Sequence, residues 1–288
     1  AMKTVRTISE LRAHIDGWRA QGLSVGAVPT MGGLHEGHIS LVRTAAMHTD
    51  RVIGTLFVNP KQFAVNEDFE IYPGNESVDA QKFADAGAAL MFAPPMDVMY
   101  PPGHSTCVTV EGLSGILEGK FRPHFFSGVA TIVTKLLMQI LPNIAIFGEK
   151  DYQQLCVIRS LVRDLNIPVK IIGGLTVREK DGLALSSRNI YLTDEDRTRA
   201  PALFETLKDV ALVVENGGDY PEAIQLAIKR LINSGFSEVD YITVCNADTL
   251  LPWGESGIES DFGRVLGAAR LGKTRLIDNV PVVRAQSF

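Results

Sequence analysis

Two histidines, His35 and His38, close the run Val28-Pro29-Thr30-Met31-Gly32-Gly33-Leu34-His35-Glu36-Gly37-His38. Imidazoles three residues apart on a helix face the same side, and each can donate a hydrogen bond to a phosphate oxygen as charge builds there. Glycine lets the backbone approach a ligand closely. The first amides of a helix lack intrahelical partners, and the helix dipole favours an anion beside them. The run therefore reads as a phosphate-binding turn between a strand and a helix. The alternatives are a metal pair at i, i+3, which lacks a neighbouring third ligand, and a plain glycine-rich turn with solvated histidines.

Gly148-Glu149-Lys150-Asp151 repeats this logic. It follows an apolar run and precedes a helical pattern, so Lys150 can meet phosphate as a point charge. Asp151 either caps the helix or holds a ribose hydroxyl. In Leu183-Ala184-Leu185-Ser186-Ser187-Arg188-Asn189, two hydroxyls and a guanidinium can converge on a triphosphate; a helix-capping serine pair with a solvated arginine is the plainer reading. Asn59 and Gln62 are polar groups placed where a strand ends, and Asn59 also suits loop capping before Pro60. Asp68, in an acidic loop, is a candidate for helping to place Mg²⁺, against an ordinary solvated loop. Gly267-Ala268-Ala269-Arg270-Leu271-Gly272-Lys273-Thr274 satisfies the P-loop pattern but has little chain after it for the required helix. Leu271-Gly272-Lys273 reads better as a hairpin turn.

Taken together, these motifs resemble the pantoate–β-alanine ligase family, within the nucleotidyltransferases that carry a His-x-Gly-His turn. The resemblance spans the chain, and four motifs fall in order. It implies ATP-dependent condensation of pantoate with β-alanine through pantoyl adenylate, releasing pyrophosphate and AMP, with Mg²⁺ accompanying ATP. It further implies ATP contacts from Met31, Gly32, Gly33, Leu34, His35, Glu36, Gly37 and His38, and from Gly148, Glu149, Lys150 and Asp151. Val177, Leu185, Ser186, Ser187 and Arg188 would grip ATP from a second domain and close the cleft. His35, His38, Lys150, Ser187 and Arg188 carry the catalytic assignment. Gln62, Gln154 and Arg122 would hold pantoate, Gln62 also β-alanine, with Asn59 nearby. A homodimer is implied as well. Two departures stand out. Gly33 replaces an expected alanine, at some cost in backbone entropy. Arg122-Pro123-His124-Phe125-Phe126 replaces Arg-Pro-Gly-His-Phe, which leaves the role of His124 open.

These residues need elements to position them. Apolar runs at 24–28, 51–58, 89–93, 106–110, 144–147 and 169–172 alternate with helical patterns at 9–22, 39–48, 75–87, 129–140 and 152–165, with a short helix near 113–117. That order predicts an α/β fold: a Rossmann-like, doubly wound parallel sheet over residues 1–176, with residues 94–103 irregular. Residues 177–288 read as a smaller α+β lid domain, with a loop at 177–188, long helices at 194–215 and 220–234, a strand at 239–244 and paired strands at 264–269 and 274–278.

The chain of 288 residues is 45% hydrophobic and 21% charged, an ordinary globular composition. A net charge of −5 without a basic block argues against a nucleic-acid partner. Cys107, Cys156 and Cys245 are scattered and odd in number, which suits a reducing cytoplasm rather than a disulfide or zinc framework. Residues 3–21 are polar and amphipathic, so neither a signal peptide nor a membrane span is expected. An aminoacyl-tRNA synthetase or simple nucleotidyltransferase, and a non-catalytic nucleotide sensor, remain the rival readings.

Overall fold

The computed structural model describes residues 1–254 and 261–284. Two compact units emerge: Ala1–Glu149 with Gln154–Leu175, and Lys150–Gln153 with the chain from Thr176 onward. The reach of the expected second domain over 255–260 and 285–288 lies outside the described residues.

The first unit carries strands β1 (Lys3–Val5), β2 (Val25–Thr30), β3 (Arg51–Leu56), β4 (Leu90–Phe92), β5 (Ile144–Gly148) and β6 (Lys170–Gly174). They form one sheet in the order β1-β4-β3-β2-β5-β6, with every pair parallel. The helices are α1 (Ile8–Ala20), α2 (Glu36–His48), α3 (Glu76–Ala86), α4 (Met96–Met99), α5 (Glu118–Phe121), α6 (Phe125–Ile140) and α7 (Tyr152–Asp164). Period-two alternation sorts the strand side chains between two cores. Val25, Ala27, Ile53, Leu90, Phe92, Ala145 and Phe147 pack with α1, α6 and α7. Val28, Val52, Met91, Ile144 and Ile146 pack with α2 and α3. Helices thus cover both faces, as the doubly wound reading requires.

Strand order reverses at β2, which pairs with β3 on one side and β5 on the other. Ligands of open α/β sheets bind outside the carboxyl ends of strands at such a switch point. Three of the sequence motifs leave the sheet there: the histidine turn after β2, Asn59 and Gln62 after β3, and Gly148-Glu149 at the end of β5.

The second unit stacks α8 (Asp194–Arg199), α9 (Ala202–Glu215) and α10 (Tyr220–Asn233) with an antiparallel sheet of β7 (Glu238–Asn246), β8 (Phe262–Leu271) and β9 (Thr274–Val283). Leu203, Leu207, Val210, Leu231, Val265 and Val280 are among its core residues.

Several local expectations change. Thr7, not Ser9, caps α1, in a capping box with Glu10. The proline-rich stretch 94–103 contains α4. Residues 106–110 alternate like a strand because Val108 and Val110 pack on the core, but they join no ladder, and the Val108 N–H donates to Thr131 Oγ1 at 2.9 Å. The helix expected near 113–117 starts only at Glu118, because Leu117 has φ 49°. The long helix expected over 194–215 breaks at Ala200-Pro201, where proline lacks the N–H to continue it and begins α9 instead.

Candidate active site

His35 is the N-cap of α2. Its Nδ1 accepts the Gly37 N–H at 3.0 Å, while the His38 Nδ1 accepts the His35 N–H at 3.1 Å. This is a capping box built from two imidazoles, with ring centroids 4.1 Å apart. A ring nitrogen that accepts from a backbone amide carries no proton, so the neutral tautomer of each histidine bears its hydrogen on Nε2. Both half-buried side chains are therefore set as Nε2–H donors.

The turn before them departs from the expected cradle. The amides of Gly33 and Leu34 do not stand open for phosphate. They donate to the two carboxylate oxygens of Asp79, at 3.0 and 2.9 Å. Asp79 comes from α3 and is buried. Gly32 and Gly33 have φ of 86° and 64°, a region that penalises any side chain with a Cβ. Gly33 is thus suited to its place: the backbone entropy it loses on folding is set against the strain an alanine would meet at this φ. Met31 leads into this turn, and Glu36 is exposed on the first turn of α2.

Beyond β3, Asn59 caps the 3₁₀ turn Pro60–Gln62 by accepting the Lys61 N–H. Asn59 and Gln62 are both buried, at 1% and 9% exposure, and bond to each other. Gly128 lets α6 approach this turn: a Cβ there would lie 2.3 Å from Lys61 O and 2.8 Å from Gln62 N. Backbone atoms cannot yield as a flexible side chain does, and overpacking of this kind costs about 1–3 kcal/mol. Gly128→Ala is expected to fall at the upper end of that range, read as a lowered denaturation midpoint with an unchanged m value.

Arg122 pairs with Glu67 at 2.9 Å, reaches Gln62 O at 3.5 Å and stacks on Phe125 with its guanidinium carbon 3.8 Å from the ring centroid. Position 124 explains the shifted motif. His124 has φ 70°, the left-handed conformation that favours glycine. His124 is exposed and makes no side-chain cap, and Phe125 offers its ring to Arg122 where the family pattern has histidine. Asp68 sits at the N-cap of the 3₁₀ turn Phe69–Ile71 without a side-chain cap bond. Among the described residues, no group of three His, Cys, Asp or Glu stands together as a metal site. Gln154 is half-buried on α7.

In the second unit, Lys150 and Ser186, 36 positions apart in the chain, line one pocket with Asn189, Phe204, Arg275 and Asp278. Asp151 is exposed beside Lys150 on the 3₁₀ turn Glu149–Asp151. Val177 and Leu185 close a hairpin, the Leu185 N–H donating to Val177 O at 3.0 Å. Ser186 takes the plainer role of a cap, accepting the Arg188 N–H, and Ser187 and Arg188 lie in the 3₁₀ turn Ser187–Tyr191. The P-loop look-alike is the β8–β9 hairpin, turning at Gly272-Lys273. Its second strand holds the site together. Asp278 grips Arg178 through two bonds of 2.6 and 2.9 Å, and Asn279 Nδ2 donates to Lys150 O at 2.9 Å. Sequence reasoning missed Asp79, Gly128, Asp278 and Asn279 as site supports. Only a polar residue on the buried face of a helix marked Asp79 beforehand.

Comparison with known proteins bears on this arrangement. A family model for pantoate-beta-alanine ligase matches residues 3–281. A pantothenate synthetase of Caulobacter vibrioides is 54% identical over 278 residues, 96% of this chain and 98% of its own length. The crystal structure of pantothenate synthetase from Thermus thermophilus is similar with a TM-score of 0.89 and 43% identity, covering 97% of this chain and 99% of that one. The Francisella tularensis pantoate-beta-alanine ligase, solved in complex with β,γ-ATP and β-alanine, gives a TM-score of 0.81 at 35% identity over 97% of each chain.

Proposed function

The chain belongs to the pantoate–β-alanine ligase family and forms the amide bond between pantoate and β-alanine; we propose that it does so through an enzyme-bound pantoyl adenylate. A pantoate carboxylate oxygen attacks the α-phosphorus of ATP, forming a new P–O bond as the bond to pyrophosphate breaks. The free amine of β-alanine then attacks the acyl carbonyl, AMP leaves with the bridging oxygen, and the ammonium proton is lost. No protein nucleophile enters, so the protein's contribution is positioning and charge stabilisation.

The observation that carries this reading is the paired, tautomer-fixed histidines at the switch point of the sheet. His35 and His38 are assigned as Nε2–H donors to phosphate oxygens on which charge develops. Lys150, Ser187 and Arg188 are assigned to the triphosphate too, with Ser186 shaping their turn. Met31–His38, Gly148–Asp151, Val177 and Leu185 make up the remaining ATP contacts. Gln62 and Gln154 hold pantoate, with Arg122 joining them already charge-balanced by Glu67. Mg²⁺ enters as part of the Mg-ATP substrate, with Asp68 as the protein candidate for helping to place it. Residues 1–176 then form the ATP- and pantoate-binding domain and 177–288 the lid. We take the working enzyme to be a cytoplasmic homodimer; no helix of the described residues is long and apolar enough to cross a membrane.

Pantoate labelled with ¹⁸O in its carboxylate tests the chemistry. One label is expected in the phosphate of AMP, and AMP is expected only when pantoate, β-alanine and ATP are all present. A stable nucleotidyl product formed without β-alanine would return the chain to the nucleotidyltransferases. ATP binding without pyrophosphate release would make it a sensor.

A further inference from the structure

We propose that Tyr100 is a positioning residue for acid recognition, one that fixes through Asn59 which end of the Gln62 amide is offered to substrate. The inference rests on the reading that Gln62 holds pantoate.

The two ends of a side-chain amide are alike in shape, so their partners must decide which is oxygen and which is nitrogen. For Asn59 two backbone groups identify the ends. The Lys61 N–H, which can only donate, meets one end at 3.3 Å, so that end is Oδ1. The Gly128 carbonyl, which can only accept, meets the other at 3.0 Å, so that end is Nδ2. The second hydrogen of Nδ2 goes to Gln62 at 3.0 Å, and the Gln62 atom receiving it must be Oε1. Gln62 therefore keeps its two Nε2 hydrogens for other partners. An NH₂ end recognises carboxylate and hydroxyl oxygens, the groups that a hydroxy acid presents, and disfavours an ammonium.

Tyr100 completes the chain of constraints. Its Oη lies 2.7 Å from Asn59 Oδ1, and since Oδ1 can only accept, the phenol donates. This contact is shorter than the one from Lys61 and is the firmer hold on Oδ1. With it, both donors and both lone pairs of Asn59 are engaged by protein, so Asn59 acts on substrate only through Gln62. The phenol is itself held in place. Lys61 and Lys135 place their ammonium groups 4.9 and 5.8 Å from its ring centroid, and His104 and Phe57 pack their rings at 5.1 and 6.1 Å. Partial burial also drives its ionisation well above the usual phenol range, which keeps it a donor.

Tyr100→Phe removes the donor and little else. The KM for pantoate is expected to rise roughly tenfold, the scale of one lost hydrogen bond. The KM for ATP should stay within about twofold and the Tm within about 2 °C. A merely structural role would move all three together. The decisive measurement is the double-mutant cycle with Gln62→Ala. If Tyr100 works through Gln62, Tyr100→Phe adds nothing to the pantoate KM once Gln62 is truncated. A tenfold effect that persists in the Gln62→Ala background, or no effect of Tyr100→Phe in the wild-type background, overturns the inference. If Gln62→Ala alone leaves the pantoate KM unchanged, the assignment of Gln62 to pantoate fails first, and takes this inference with it.

Discussion

His38→Ala is expected to lower the rate of pyrophosphate release about 10²–10³-fold, the loss seen when one pre-aimed donor to developing charge is removed. The same substitution also deletes the acceptor for the His35 N–H, and losing a cap costs about 0.5–2 kcal/mol. A rate defect alone would therefore be ambiguous between a missing donor and a frayed helix. His38→Glu separates the two. Glutamate at the third position of a helix is the natural partner of a capping box and suits the positive end of the helix dipole. It should return stability towards wild type. A carboxylate facing a triphosphate should nonetheless leave pyrophosphate release at or below the level of His38→Ala. Opposite movement of thermal midpoint and rate identifies the imidazole as a phosphate donor. A His38→Ala enzyme within about tenfold of wild type would remove His38 from the chemistry.

Asp79→Ala is expected to produce the largest stability loss of any single polar substitution near the site. The buried carboxylate takes the amides of both Gly33 and Leu34. Hydrogen bonds to charged groups are each worth about 1.5–3 kcal/mol, and truncation strands both donors. A loss of about 3 kcal/mol or more follows, measured as the shift in urea midpoint at constant m. Activity should fall even where the protein is fully folded, because the same turn sets the positions of His35 and His38. Asp79→Asn is the sharper probe. It keeps one acceptor oxygen but turns an NH₂ group towards a backbone N–H, so it should lose about half as much stability. Full retention of stability in Asp79→Ala would mean the turn is held by Gly32, Gly33 and Lys82, whose Nζ donates to Leu34 O, without the carboxylate.

These two residues also divide what each level of description provides. Residue type and local spacing were enough to establish the alternation of strands and helices, the family, and the identity of the chemical groups. Histidines, a lysine, serines and glutamines at strand ends announce themselves by type and spacing, and apolar periodicity is a local signal. The P-loop look-alike was recognisable as a hairpin for the same reason, since a phosphate loop leads straight into a helix and Leu271-Gly272-Lys273 instead turns between two short apolar runs.

Which polar group satisfies which is settled only by folding. The open amides expected at the glycine turn are filled by Asp79, 45 and 46 residues away from its two donors. On the proposed reading, phosphate donation at this turn is therefore assigned to the histidine side chains rather than to the Gly33 and Leu34 amides. The side-chain orientations of Asn59 and Gln62 follow from a carbonyl on α6 and from a phenol in a stretch that composition alone marks as irregular. Lys150 is held by Asn279 across 129 positions, from the strand of the dismissed motif. A hydrogen-bond partner is chosen by proximity in the fold, and proximity across such separations leaves no periodic trace in the chain. The reactive groups were legible in the sequence because their chemistry is intrinsic to them. The groups that aim them were not, because an aspartate, an asparagine or a tyrosine becomes a support only when folding brings an unsatisfied partner within about 3 Å.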